Sequence, residues 1–291
     1  MTITRCLSFV AGLFGAVLSL GLLPVVAIAG EGLPYDWQTG FQKAYSPTME
    51  RITTFNDWLF ILISVIVIFV LALLVYVMWR FSETKNPNPS RTTHNTLIEV
   101  IWTVVPAVIL VLVAIPSFKL LYFADSNPDA ELTVKAIGRQ WYWSYEYPDN
   151  GNFIFDSYMV ADGDLKPGEP RLLQTDTAMV IPVDTPVRLL ITASDVLHAF
   201  AMPSMGLKLD AVPGRINETW VQATETGIYY GQCSELCGTD HSYMPIMLKV
   251  VSKADYDEWV KQAQEEYARV EEPAAPAESP EQPVQLAERS E

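Results

Sequence analysis

Residues 233–244 read Cys-Ser-Glu-Leu-Cys-Gly-Thr-Asp-His-Ser-Tyr-Met and bring two thiols, an imidazole and a thioether into one short stretch. A second imidazole, His198, lies upstream in the run Asp195-Val-Leu-His198. Thiolate, imidazole and thioether are soft ligands, and such ligands select copper or zinc. A mononuclear copper site of this kind uses one thiolate, so Cys233 and Cys237 together supply enough bridging sulfur for two ions. The stretch therefore predicts a dinuclear copper centre that moves electrons.

The first residues of the chain have the features of an export signal. Arg5 provides a positive charge, residues 7–26 are apolar, and residues 27–29 read Ala-Ile-Ala, a small-residue cleavage pattern. We therefore expect residues 1–29 to be a signal peptide, with an uncleaved membrane helix as the alternative. Cleavage would remove Cys6 and leave the motif with the only two cysteines of the mature chain.

An exported chain with two cysteines could instead join them in a disulfide. A bridge between Cys233 and Cys237 would close a very small ring, which adds little stability to a large domain. The histidines and the methionine at fixed offsets would then be coincidental. Metal ligation is therefore the preferred interpretation.

The charge of the chain bears on its partners. The formal net charge is −15 although 50% of the residues are hydrophobic, which indicates separate regions in lipid and in water. Nucleic acid is not an expected partner, because phosphate recognition needs a basic surface. Basic proteins are favoured instead.

Two apolar segments, residues 58–79 and 97–122, are long enough to span a membrane. Tryptophans bracket the first segment, as at membrane interfaces, and Asn56-Asp57 is its expected cap. We predict a transmembrane helix hairpin over residues 56–122.

The loop between the two segments predicts the orientation of the hairpin. It contains Arg80, Lys85 and Arg91 against one acid, Glu83. Basic loops stay in the cytoplasm, so both ends of the hairpin are expected on the periplasmic side of a bacterial inner membrane. Residues 30–55 would then form a periplasmic N-terminal segment.

From residue 125 to residue 252 the pattern changes to short β-type runs, for example 132–137 and 187–192, with turn signals between them. This spacing predicts an all-β Greek-key sandwich. Residues 253–269 are typical of an amphipathic helix. Residues 270–291 are rich in Pro, Ala and Glu, and we expect a disordered acidic tail there.

The soft-ligand motif, from His198 to Met244-Pro, resembles the dinuclear copper (CuA) site of subunit II of the heme–copper cytochrome c oxidases. Residues 138–147, Gly-Arg-Gln-Trp-Tyr-Trp-Ser-Tyr-Glu-Tyr, and 210–215, Asp-Ala-Val-Pro-Gly-Arg, are similar to signatures of the same family. The resemblance covers about residues 50–260. It implies a membrane-anchored chain, with an N-terminal two-helix transmembrane hairpin and an all-β Greek-key, cupredoxin-like periplasmic domain over 125–252.

The resemblance also implies a ligand set for two copper ions. Cys233 and Cys237 would supply two bridging thiolates, and His198 and His241 would supply two terminal imidazoles. Met244 would add a weak thioether, and Glu235 would add its backbone carbonyl. The thiols must be reduced and unprotonated to take up metal, which in an oxidising compartment implies copper-delivery assembly factors. The free carboxylate of Glu235 would contribute to a magnesium or manganese site shared with subunit I.

For Trp141 the resemblance implies a surface position where electrons arrive from a donor heme, whereas Trp143 and Tyr145 could equally pack in the core. Acidic residues near Trp141 would steer a basic cytochrome c by long-range attraction. By resemblance, the docking candidates are Glu146, Asp156, Asp176 and Asp195, and Asp195 is favoured among them because it lies three residues before His198.

Glu99 lies close to the cytoplasmic start of the second apolar segment. Thr96-x-x-Glu99 fits a capping box, and an acid is favourable at a helix N-terminus. In the family, a residue here stands at the mouth of a proton path into subunit I. The two roles are compatible.

Taken together, the resemblance implies one subunit of a bacterial oxidase. It would accept electrons from cytochrome c at the copper centre and pass them to heme in subunit I. Oxygen would be reduced to water there, coupled to proton translocation, with subunit III and membrane lipid as further partners. The alternatives are a quinol oxidase subunit, which lacks the copper ligands, a membrane-anchored copper chaperone, and a copper-containing nitrous oxide reductase.

Overall fold

The computed structural model describes residues 32–126 and 128–267. The predicted signal peptide and the predicted acidic tail lie outside the described residues. Within them, two long apolar helices precede a β-sandwich that is closed by a C-terminal helix.

The first helix, α1, spans Pro47–Arg80 and begins well before the apolar segment does. Its cap is Ser46, whose hydroxyl accepts a hydrogen bond from the Met49 N–H at 3.0 Å. The expected cap at Asn56-Asp57 is therefore wrong. Thr48 and Met49 are buried against the sandwich, so packing stabilises the first turns of α1. The hydropathy pattern indicates only the part of α1 that is suited to lipid.

The second helix, α2, spans Thr96–Asp125. The cap is Asn95 rather than the expected Thr96: the Asn95 side chain accepts from the Ile98 N–H at 3.2 Å. The Asn95 N–H in turn donates to the Glu99 carboxylate at 3.3 Å. Glu99 therefore has the reciprocal capping contact that was expected, displaced by one residue.

Both helices are long and apolar enough to cross a membrane, and their most apolar windows are not buried within the chain. Such faces are compatible with lipid or with other membrane-spanning subunits. The predicted two-helix hairpin is therefore present, and its bounds are wider than the predicted 56–122.

Ten strands within the described residues form the sandwich. They are β1 (Leu132–Arg139), β2 (Tyr142–Tyr147), β3 (Phe153–Ser157), β4 (Met179–Pro182), β5 (Val187–Ala193), β6 (His198–Met202), β7 (Leu207–Ala211), β8 (Asn217–Val221), β9 (Gly227–Cys233) and β10 (Pro245–Val251). One sheet has the order β3-β2-β1-β5-β8 and the other β4-β10-β9-β6-β7. The pairs β1–β5 and β4–β10 are parallel, and the other pairs are antiparallel. The predicted all-β domain is confirmed.

The C-terminal helix α3 spans Lys253–Glu266, shorter than the predicted 253–269. Its Trp259 packs edge-on against Tyr147 and Phe153 at ring distances of 5.1 and 5.8 Å. The Tyr147 hydroxyl lies inside the sandwich, where it accepts from the Val180 N–H at 2.8 Å and donates to the Val180 carbonyl at 2.9 Å. This contact ties β2 of one sheet to β4 of the other.

Strand pairing places the metal-ligand candidates together. In β6 and β9, Phe200 lies opposite Cys233. The start of β6, with His198, therefore comes next to the end of β9, with Cys233. The chain then forms a loop over residues 234–244 and returns as β10, so the two ends of the motif also meet.

Candidate metal centre

Two free, buried thiols form the middle of the site. Cys233 Sγ and Cys237 Sγ lie 3.9 Å apart, and each thiol has its own imidazole. Cys233 Sγ is 3.8 Å from His198 Nδ1, and Cys237 Sγ is 3.5 Å from His241 Nδ1. The disulfide alternative does not describe this structure, in which both cysteines are free.

Two weaker donors complete the set. Met244 Sδ lies 3.6 Å from Cys237 Sγ, and the Glu235 carbonyl oxygen lies 3.4 Å from Cys233 Sγ. The Glu235 side chain is exposed, so the backbone and the carboxylate of this residue face different surroundings.

This arrangement fits a soft metal centre. His198, Cys233 and Cys237 are buried, and their ligand atoms lie within 4.8 Å of one another. Thiolate, imidazole and thioether match copper rather than a hard ion such as magnesium. Two thiols between two imidazoles can serve two ions.

The two thiols differ in acidity. Burial by itself raises the pKa of Cys233, but hydrogen bonds to His198 and to the backbone of Ala199 and Glu235 outweigh burial and lower this pKa. Burial, together with the charge on Cys233, raises the pKa of Cys237. One thiol of the pair therefore ionises readily, whereas the second releases its proton when metal takes its place.

Asp195 holds the ring of His198 from the side away from the thiols. Its carboxylate lies 2.9 Å from His198 Nε2 and accepts from the Gln140 N–H at 2.7 Å. Burial lowers the pKa of His198, but Cys233 and Asp195 oppose it and leave this pKa raised. A carboxylate on the second nitrogen of a ligand imidazole fixes the ring and its tautomer.

Trp141 is half-buried beside the loop over residues 234–244, here called the metal loop. Its ring lies against Gly238, next to Cys237, and the side-chain amide of the preceding Gln140 donates to the Cys237 carbonyl at 2.8 Å. Trp141 lines a surface depression of about 450 Å³ together with Tyr158 and Asp240. The structure therefore places a half-buried indole at a surface depression, beside the chain segment of Cys237 and Gly238.

Trp143 and Tyr145 have no exposed surface and belong to the core. Trp143 packs edge-on against His198 at a ring distance of 6.1 Å. Of the alternatives open for these two residues, core packing is the one observed.

The four docking candidates have different surroundings. Glu146 forms an ion pair with Lys135 at 3.0 Å and is largely covered. The Asp195 carboxylate contacts His198 Nε2, as described above. Three candidates, Asp156, Asp176 and Asp195, are exposed.

Asp156 and Asp176 meet at Tyr158. The Asp156 carboxylate accepts from the Ser144 hydroxyl at 2.6 Å and from the Tyr158 hydroxyl at 3.3 Å, and Asp176 accepts from the Tyr158 N–H at 2.8 Å. Because Tyr158 lines the same depression as Trp141, these two acids lie close to the indole.

Sequence reasoning did not single out Gln140, Tyr158 or Asp240. Gln140 precedes Trp141 and Asp240 precedes His241, so their positions in the motifs were an available signal. Tyr158 comes two residues after Asp156 in the sequence, but its contact with the depression depends on the pairing of β2 with β3.

The sandwich, its metal loop and the apolar hairpin define a membrane-anchored, cupredoxin-like protein with a soft-ligand metal centre. The model of the cytochrome c oxidase subunit II periplasmic domain matches residues 132–251, and that of the subunit II transmembrane domain matches residues 34–120. The chain belongs to the cytochrome c oxidase subunit II family and is a subunit of a heme–copper oxidase.

Relatives match over most of the chain. A probable cytochrome c oxidase subunit 2 of Rickettsia bellii (strain RML369-C) is 52% identical over 244 residues, covering 84% of this chain and 90% of the relative. The cytochrome c oxidase subunit 2 of Zea mays is 48% identical over 230 residues, covering 77% and 88%. The crystal structure of the periplasmic domain of subunit II of the Bradyrhizobium japonicum oxidase is 53% identical and covers 49% of this chain and 100% of that chain, with a TM-score of 0.47.

Proposed function

We propose that this chain accepts electrons from cytochrome c at a dinuclear copper centre and passes them to heme in subunit I. The observation that carries the proposal is the pair of free, buried thiols 3.9 Å apart, each with its own imidazole. A single copper ion would need only one of these thiols. When bound, the copper pair would supply a one-electron carrier shared between two metals.

The residues of the site would hold this group with little movement. The thiolates of Cys233 and Cys237, the imidazoles of His198 and His241, the thioether of Met244 and the backbone carbonyl of Glu235 would hold the copper pair. Four of the six ligand residues are buried, and β6, β9 and β10 anchor the ends of the metal loop. A rigid, dry ligand set limits reorganisation when the charge changes.

Copper loading tests the number of metal ions. The chain purified in detergent, reduced and then loaded, should bind two coppers and give the EPR signal of one unpaired electron shared by two copper nuclei. Cys237→Ser should abolish that signal, whereas Ser242→Ala, an exposed change in the same loop, should preserve it. One copper per chain with an ordinary four-line signal would contradict the dinuclear assignment.

Electrons would enter at Trp141, because its indole joins the surface depression to the Cys237 segment. In the assembled oxidase, Trp141→Ala should slow electron uptake from cytochrome c and leave the copper spectrum unchanged. Trp37 is 93% exposed, and Trp37→Ala is the matched control. Equal uptake rates in the two variants would show that Trp141 only packs against the loop.

Docking of cytochrome c would use Asp156 and Asp176, since both are exposed and lie beside the depression. Asp156→Asn with Asp176→Asn should lower the association rate, and the difference from the unmodified oxidase should shrink as salt rises. Glu146 is paired with the basic side chain of Lys135 and Asp195 with that of His198, so both are expected to contribute less to steering. Association that does not depend on salt would argue against this surface.

The remaining assignments concern subunit I and the membrane. The Glu235 carboxylate would join a magnesium or manganese site with subunit I, and Glu99 would stand at the start of a proton path from the cytoplasm. The sandwich would face the periplasm of a bacterial inner membrane, where copper-delivery factors keep the thiols reduced. Glu99→Gln should slow proton uptake into the oxidase without changing the copper spectrum, which stopped-flow measurements with a pH dye can check.

A further inference from the structure

A groove of about 610 Å³ opens between α1 and α2 at the end of the hairpin nearest the sandwich. Arg51 and Lys119 line it together with one acid, Glu50. The apolar part of its wall includes Phe55, Trp58 and Leu120. The groove thus has a basic part and an apolar part, and it lies far from the metal centre's ligands in sequence and outside the sandwich.

The two cations of the groove are available to a ligand. Both side chains are exposed, and neither takes part in an ion pair within residues 32–126 and 128–267. Two cations against one acid leave an excess of one positive charge. A phosphodiester carries the single negative charge that would neutralise it.

Arg51 is held in place by the sandwich. Its guanidinium lies over the Phe123 ring at 3.5 Å from the ring centre, and Phe123 itself packs edge-on against Trp220 at 5.4 Å. The Trp220 indole N–H also donates to the Phe123 carbonyl at 3.3 Å. Stacking uses the face of a guanidinium and leaves the N–H donors at its edge free for an anion.

The depth of the groove matches the lipid headgroup layer. At a rise of about 1.5 Å per residue, Trp58 and Trp79 lie roughly 30 Å apart, the thickness of the hydrocarbon core. Arg51 lies about 10 Å beyond Trp58 on the same helix, at the level where headgroups begin. Phe55 and Trp58 lie between this level and the hydrocarbon.

We propose that this groove binds one anionic phospholipid of the leaflet on the sandwich side. The phosphate would lie between Arg51 and Lys119, and an acyl chain would follow Phe55, Trp58 and Leu120 toward the membrane centre. The lipid would fill the gap between the two helices beneath the sandwich and stabilise its angle to the hairpin. Neither the copper ligands nor Trp141 takes part.

Native mass spectrometry of the assembled oxidase tests this site. The detergent-purified complex is delipidated and then titrated with phosphatidylglycerol, or with phosphatidylcholine or phosphatidylethanolamine of the same acyl chains. The double variant Arg51→Gln/Lys119→Gln should bind the first phosphatidylglycerol about 30-fold more weakly, since each basic residue near the surface contributes about a fivefold factor. Lys166→Gln/Lys261→Gln removes two exposed cations from the sandwich side and is the matched control.

A charge-preserving variant separates binding from folding. Arg51→Lys/Lys119→Arg should keep most of the phosphatidylglycerol affinity, and heme content should show that every complex is assembled. The proposal is overturned if the Gln variant and its control bind phosphatidylglycerol equally, or if the unmodified complex binds all three lipids alike. It is also overturned if the Gln variant loses subunits while its lipid binding is unchanged, because the groove would then be a protein interface.

Discussion

Gly138 of β1 lies directly against the ring of the ligand candidate His198. A Cβ added at this position would lie 2.9 Å from His198 Cδ2 and 3.0 Å from His198 Cγ. Optimal carbon contacts are about 3.5 Å or longer, so Gly138→Ala requires a shift of roughly 0.6 Å. The backbone at Gly138 has no positive φ that would exclude alanine, so the effect comes from crowding alone.

The imidazole has no room to withdraw. His198 has no exposed surface, its Nε2 lies 2.9 Å from the Asp195 carboxylate, and Trp143 packs edge-on against the ring. Overpacking a filled core costs about 1–3 kcal/mol, and we expect the free energy of unfolding of the metal-free chain to fall by that amount. Displacing a ligand ring also alters metal binding, so copper affinity should fall by about 10–100-fold, as when a supporting residue is lost.

Thermal unfolding followed by circular dichroism and copper competition against a chelator measure the two effects in detergent. The control is Gly163→Ala, since a Cβ at Gly163 meets no heavy atom within 4 Å. The EPR spectrum of copper-loaded Gly138→Ala should also change although every ligand is present. If Gly138→Ala matches Gly163→Ala in unfolding, affinity and spectrum, then β1 does not set the position of the His198 ring.

Three further predictions concern the sandwich and the support of the site. Tyr147→Phe removes both contacts to Val180 and should lower the free energy of unfolding by about 1–3 kcal/mol in a denaturant titration, whereas Tyr158→Phe, at an exposed hydroxyl, should change it by less than about 0.5 kcal/mol. Asp195→Ala should weaken copper binding about 10-fold or more in the same chelator assay, and Asp156→Ala is its control. Equal copper affinity in the two variants would show that the Asp195 carboxylate does not support the His198 ring. Gly238→Ala should slow electron uptake, because its Cβ would lie 3.0 Å from Trp141. Gly214→Ala is the control, because Gly214 also has a positive φ but no close neighbour, and it should leave the uptake rate unchanged. Stopped-flow mixing with cytochrome c measures both rates.

The sequence predicts those parts of the architecture that depend on a local pattern of residues. Apolar length predicts the two membrane-spanning segments, and short β-type runs predict the sandwich. The start of α1 was not predictable in the same way, because Ser46, Thr48 and Met49 are fixed by the sandwich. Ser46 Oγ donates to the Met205 carbonyl at 2.6 Å, a contact between residues far apart in the sequence. A hydropathy pattern reports preference for lipid and carries no information on such contacts.

The candidate site also has a part that the sequence predicts and a part that depends on the fold. Most of the ligand candidates come from one short stretch, so their spacing alone indicates a metal. His198 lies far upstream, and only the pairing of β6 with β9 brings it to Cys233. The role of Asp195 also depends on geometry: proximity to His198 in sequence indicates that the two are close, but only the 2.9 Å contact to Nε2 shows that the carboxylate supports the ring.

Hydrogen bonds of Gln140 connect the metal loop to Trp141. The backbone of Gln140 binds Asp195, which contacts His198, and the side chain of Gln140 binds the Cys237 carbonyl. Both sides of the thiol pair are therefore tied to the residue before Trp141. A change that moves Gln140 would shift the His198 imidazole, the Cys237 thiol and the Trp141 indole together, so one short segment between β1 and β2 sets the distances from the surface to the candidate metal centre. Mutations in this segment are therefore expected to alter copper spectrum and electron uptake jointly, whereas removal of the Trp141 ring alone should separate them.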